Sequence, residues 1–163
     1  MLRRRGDAAT DGCLVAHRLA LTTVAATFVL ILFGGLVTNT GSALAVPDWP
    51  TTFGSNMFLY PWSKMVGGIF YEHSHRLLGS VVGLLTLALA VALWRDGGRR
   101  RGLGLVMVAA VIVQGVLGGL RVVLLEEMLA IVHGCLAQAF WALAVAVALL
   151  TSPSQKTAAR GID

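Results

Sequence analysis

The sequence predicts an all-α integral membrane protein, a four-helix bundle with both termini cytoplasmic. Three observations carry that prediction. Of the 163 residues, 56% are hydrophobic and only 13% are charged, against about 25% charged in soluble domains, and the mean hydropathy is +0.78. Uncharged runs extend over Leu19–Val37, Leu77–Trp94, Leu103–Leu120 and Met128–Leu150. Each is close to the ~20 residues that cross ~30 Å of hydrocarbon as a helix, whereas membrane strands would be ~10 residues of alternating polarity. Finally, charge is asymmetric about these runs. Arg3, Arg4, Arg5, Arg18, Arg95, Arg99, Arg100, Arg101, Lys156 and Arg160 fall on one side of four crossings, and Lys64, Arg76 and Arg121 on the other. Basic loops stay cytoplasmic.

Taken in order, residues 1–18 read as a basic cytoplasmic tail, followed by a transmembrane domain over 19–150. The first span is read as retained: Ala43-Leu44-Ala45 looks like a signal cleavage site, but the apolar stretch exceeds the usual ~7–15 residues. The loop 38–71 is extracytoplasmic and holds Pro47, Pro50 and Pro61 with Trp49, Phe53, Phe58, Tyr60 and Trp62. Prolines oppose a helix there and aromatics favour the interface, so the loop folds over the outer mouth of the bundle. The second span opens on "FYEHSHRLLGS", the third ends on "GGLRV", and the fourth carries His133. Residues 151–163 form a second cytoplasmic tail. The net charge of +5 and pI near 10.0 follow from the loop bias, which predicts contact with the lipid bilayer and no nucleic-acid partner. Cys13 and Cys135 have neither disulfide nor metal-type spacing and read as free thiols.

A short repeat marks the candidate site. "GGLV" (Gly34 to Val37) ends the first span and "GGLRV" (Gly118 to Val122) ends the third, and a histidine-bearing helix follows each. Counting inward from Trp94 and Leu150 places His75 and His133 at similar depth near the outer face. Four-helix bundles build cofactor sites from such facing side chains, and paired neutral imidazoles ligate haem iron. Gly79 and Gly83 leave a bare stripe below His75, room for a flat ligand. Gly115, Gly118 and Gly119 read as helix-packing positions. Glu72, at i−3 from His75, is expected to orient the imidazole, act on substrate or take a proton. Arg76 and Arg121 are expected either to pair with propionates or to snorkel. His73 reads as solvent-facing, and Gln114 and Gln138 as buried interhelical hydrogen-bonding groups.

The stretches "GGLVTNTGSALAVPDWP", "EHSHR", "QGVLGGLRV" and "HGCLAQ" resemble the haem A synthases, over Gly34 to about Trp141. That family has eight spans in two four-helix halves, and this chain is similar to the amino-terminal half. The resemblance implies oxidation of the C8 methyl group of haem O to the formyl of haem A, for cytochrome oxidase biogenesis in the bacterial inner membrane. It implies Glu72 as the catalytic carboxylate, His75 and His133 as iron ligands, and Arg76, Arg121 and Gly79 as cofactor contacts. The cofactor is then haem b, substrate haem O, or both. Two departures stand out: the outer loop has no cysteine pair, Val46 occupying one such position, and no second apolar half follows Leu150. A homodimer, with the glycine-rich face 115–119 as its contact, would supply a second site; haem O synthase and oxidase assembly factors are further expected partners. A bis-histidine b-type cytochrome and a non-enzymatic haem-binding assembly protein are the alternative readings.

Overall fold

The computed structural model describes residues 5–153; Arg3, Arg4, Lys156 and Arg160 of the charge argument lie outside them. Four helices follow one another: α1 (Arg5–Asn39), α2 (Gly68–Asp96), α3 (Arg99–Leu124) and α4 (Glu127–Leu150). Two single 3₁₀ turns, Met57–Leu59 and Trp62–Lys64, interrupt the α1–α2 loop, and no strand occurs among the described residues beyond an isolated bridge between Thr52 and Ser55. Each helix contains a candidate membrane span of 24 to 28 residues, about 36–42 Å at 1.5 Å per residue. All four therefore have the length and composition to cross a bilayer.

The helices extend past the uncharged runs. α1 begins at Arg5, so most of the expected tail 1–18 continues the first helix, and α2 begins at Gly68, which shortens the loop from 38–71 to 40–67. Polar residues in the first turns of α2 can be helical because the folded loop supplies their partners. The α2–α3 connection is tight, Gly97 and Gly98 adopting φ of 79° and 56°, values costly for other residues. Arg101 lies over the Trp94 ring at 5.4 Å and donates to its carbonyl at 3.1 Å, closing that end.

α1 packs against α2 and α4, and α3 packs against the same two helices, so α2 and α4 stand diagonally. The contiguous buried apolar cluster lies toward the end that carries the α2–α3 connection, the basic end. Ala16, Ala20, Val82, Leu89, Leu93, Met107, Phe140, Ala144, Val147 and Ala148 form it. Pins between α1 and α4 reinforce it: His17 Nδ1 meets the Ala148 carbonyl at 3.0 Å, the Cys13 thiol meets that of Thr151 at 3.5 Å, and Trp141 Nε1 donates to Val24 at 3.1 Å. Both cysteines are free, as expected. Toward the opposite end the packing thins. No residue of 28–36, 74–81, 108–118 or 127–139 is fully buried.

The loop 40–67 caps that thinly packed end. Asp48 organises it, accepting from Phe53 N and Gly54 N at 2.8 Å and from the Thr51 hydroxyl. Burial opposes ionisation of Asp48, but these bonds outweigh it and hold its carboxyl below the ordinary 3.8. A carboxylate with a depressed folded value stabilises the fold above its unfolded value, and that contribution is lost as pH falls through the folded value. Acidification below 3.8 should therefore loosen the cap. In nanodiscs, Trp emission followed from about pH 6 to pH 3 should show an acid transition in the wild type that Asp48→Asn lacks.

Candidate cofactor site

His75 on α2 and His133 on α4 meet across the diagonal, ring centroids 6.5 Å apart and planes at 84°. Each ring rests on a glycine of the preceding helix. A Cβ on Gly34 would fall 3.1 Å from His75 Cε1, and one on Gly118 would fall 3.2 Å from His133 Cε1. The sequence repeat is therefore a packing device used twice: the first glycine of each Gly-Gly pair seats the histidine of the following helix. Gly118, expected as a general packing position, is part of the site.

Nδ1 of both rings is buried without a hydrogen-bond partner. Such an atom costs about 1–3 kcal/mol, so two of them on neighbouring rings suit a ligand that bonds to imidazole nitrogen. Metal–imidazole bonds are about 2.0–2.1 Å, so two imidazoles on opposite sides of one metal have centroids about 6.3 Å apart; the observed spacing matches. Among the described residues no group of three or more His, Cys, Asp or Glu could hold a bare ion. Two imidazoles are too few for a protein-only zinc site, but they are donors of the kind that would hold a haem iron. Open space lies along α2 below His75, where a Cβ on Gly79 or Gly83 would meet nothing within 4 Å. The donor set and the space fit a haem.

The polar residues at the head of α2 serve the cap. Glu72 is 5% exposed; its Oε2 accepts from Val46 N at 2.9 Å and its Oε1 from Arg76 at 2.8 Å. Arg76 donates further to the carbonyls of Val46 at 2.8 Å, Asp48 at 2.6 Å and Thr51 at 3.1 Å. Four of the five guanidinium donors are committed, which corrects the expectation of a propionate partner at Arg76. Glu72 likewise does not bond His75 Nδ1, so its expected orienting contact with that nitrogen is absent. Arg121, by contrast, has no side-chain hydrogen bond or ion pair among the described residues.

Other expectations change as well. His73 is 1% exposed, not solvent-facing: its Nδ1 bonds the Thr52 hydroxyl at 3.1 Å and its ring lies 5.3 Å from that of Tyr60. Gln114 does bridge helices, donating to the His133 carbonyl at 3.2 Å, but Gln138 is exposed. A Cβ at Gly119 would overlap the Trp49 indole, so the loop reaches across to α3. Gly118 and Gly119 are thus occupied within the chain and offer no free face to a second copy. Sequence reasoning missed Trp49, Thr52 and the seating role of both glycines; the repeated Gly-Gly pairs were the available signal for the last.

Fold and site define a four-helix, multi-pass membrane protein with two neighbouring histidines beneath a folded loop. Over 110 residues, 65% of its length, the chain is 36% identical to the haem A synthase of Shouchella clausii (strain KSM-K16). It is 38% identical over 107 residues to that of Bacillus licheniformis and 33% identical over 99 residues to that of Alkalihalophilus pseudofirmus, covering 63% and 58% of the chain. The chain is haem A synthase-like. The matches span 35%, 33% and 32% of the lengths of those relatives, about a third. No family model matches the chain, and no solved structure matches it.

The glycine seats give a direct test. Gly34→Ala and Gly118→Ala force each imidazole to shift by a few tenths of an ångström, and such overpacking costs about 1–3 kcal/mol. Gly35→Ala and Gly115→Ala meet nothing within 4 Å and should be neutral or stabilising through helix propensity. Thermal unfolding in detergent should separate the two pairs, with the first pair melting lower.

Proposed function

We propose that the chain holds haem O between His75 and His133 as substrate, in a bacterial inner membrane with both termini cytoplasmic, for oxidation of the C8 methyl group to the formyl of haem A. The observation that carries this reading is the 6.5 Å spacing of two facing imidazoles within a stretch of bundle that has no fully buried residue. The likeness to haem A synthases supports the choice of substrate. Because the matches span about a third of those relatives, the second haem site that the resemblance implies would come from another copy or from further chain.

In this reading His75 and His133 would hold the haem iron, and a bound haem b would supply one-electron chemistry at any second site. Arg121 is the cation available to a propionate. Gly79 and Gly83 leave the space for the macrocycle. Glu72 acts as a positioning residue: with Arg76 it fixes 46–51 over the mouth of the site and so limits entry of water. The buried Glu72–Arg76 pair, 2.8 Å apart, is of the kind whose disruption costs about 3–5 kcal/mol.

His75→Ala and His133→Ala should each remove most haem from the purified protein, read from absorbance; unchanged six-coordinate spectra in both would exclude the ligand pair. Glu72→Ala should retain much of the haem, lower haem A output in cells supplied with haem O, and open the loop to protease. Full activity with an intact loop would leave Glu72 without this role. Chromatography of extracted haem decides the reaction itself, since an electron-carrying cytochrome makes no haem A.

A further inference from the structure

A groove of about 380 Å³ runs between α3 and α4, lined by Val106, Ala110, Leu136, Phe140 and Leu143, with Phe140 joining it to the buried core. Gln114 stands at its upper end, one helical turn from Gly118, the seat of His133. From Gln114 to Val106 the groove runs about 12 Å toward the basic end at 1.5 Å per residue. Gln114 Nε2 donates to the His133 carbonyl, which fixes the orientation of the amide. Its Oε1 is buried and without a hydrogen-bond partner. The groove therefore runs along apolar wall from the side chain that bonds the His133 carbonyl, and that side chain carries one buried, unpartnered acceptor.

We propose that this groove seats the hydroxylated isoprenoid chain that distinguishes haem O from haem b, the chain's hydroxyl donating to Gln114 Oε1. The proposal rests on the haem reading of the His75–His133 site and adds a tail subsite to it. A phospholipid acyl chain would fill the apolar part but has no donor for Gln114. Lipid tails and the groove are equally apolar, so a hydrocarbon gains little by moving between them; selectivity comes from the hydroxyl contact and from the tether to a ring held at His133.

The test titrates the full-length apo-protein in nanodiscs with haem O and with haem b and takes the ratio of the two affinities for each variant. Ala139→Phe narrows the groove from an exposed position on α4, and Gln114→Leu removes the acceptor. Each should lower the preference for haem O by roughly three- to tenfold, the loss expected of one specific contact. The ratio is insensitive to a general loss of binding, so a weakened ring site does not imitate the effect. An unchanged ratio in both variants, with helicity retained, overturns the tail subsite and returns the groove to lipid. Failure of either haem to bind the wild type overturns the haem reading and this proposal with it.

Discussion

The Arg76 guanidinium is the contact on which the capped end depends. Backbone polar groups near the hydrocarbon must find partners inside the protein, and the proline-containing segment 46–51 cannot satisfy its own as a helix. Arg76 takes three of its carbonyls, and Glu72 takes the Val46 N–H while neutralising Arg76. Two side chains one helical turn apart thus hold irregular backbone against the head of α2. The Thr52–His73 bond and the Trp49 indole on Gly119 extend the same hold to either side.

The cap closes over an end of the bundle that is otherwise poorly supported. Apolar burial is concentrated at the basic end, where Leu89, Leu93 and Met107 are wholly enclosed, while a long stretch of every helix near the histidines has no fully buried residue. Close packing on all sides is what gives an interior its dispersion contacts, and along these stretches the helices have fewer of them than at the basic end. A ligand that fills the space stabilises the folded state by mass action, so occupancy and stability of this end are linked.

The spans and the depth of His75 and His133 were legible because they follow from hydropathy and helix rise, which depend only on sequence position. The start of α2 was not. Glu72, His73 and Arg76 look like loop residues until the loop itself is seen to satisfy them, and that pairing crosses up to thirty positions. The same long-range contact hid the destination of Arg76, which charge alone assigned to an anion. His73 was misplaced because its two-residue offset from His75 says only that it faces elsewhere, and the cap made that other direction an interior. The glycine pairs were visible as a repeat, but their partners were not, since nothing in the spacing states which helix face meets which ring.

Each histidine is braced within its own hairpin: Gly34 and His75 belong to α1 and α2, Gly118 and His133 to α3 and α4. The two rings are therefore aimed before they face one another, and parting the hairpins would leave both rotamers undisturbed. A guest arriving between them meets jaws already set, with little side-chain freedom left to surrender on closure. The bundle is, mechanically, a vice whose grip is built into its two halves separately.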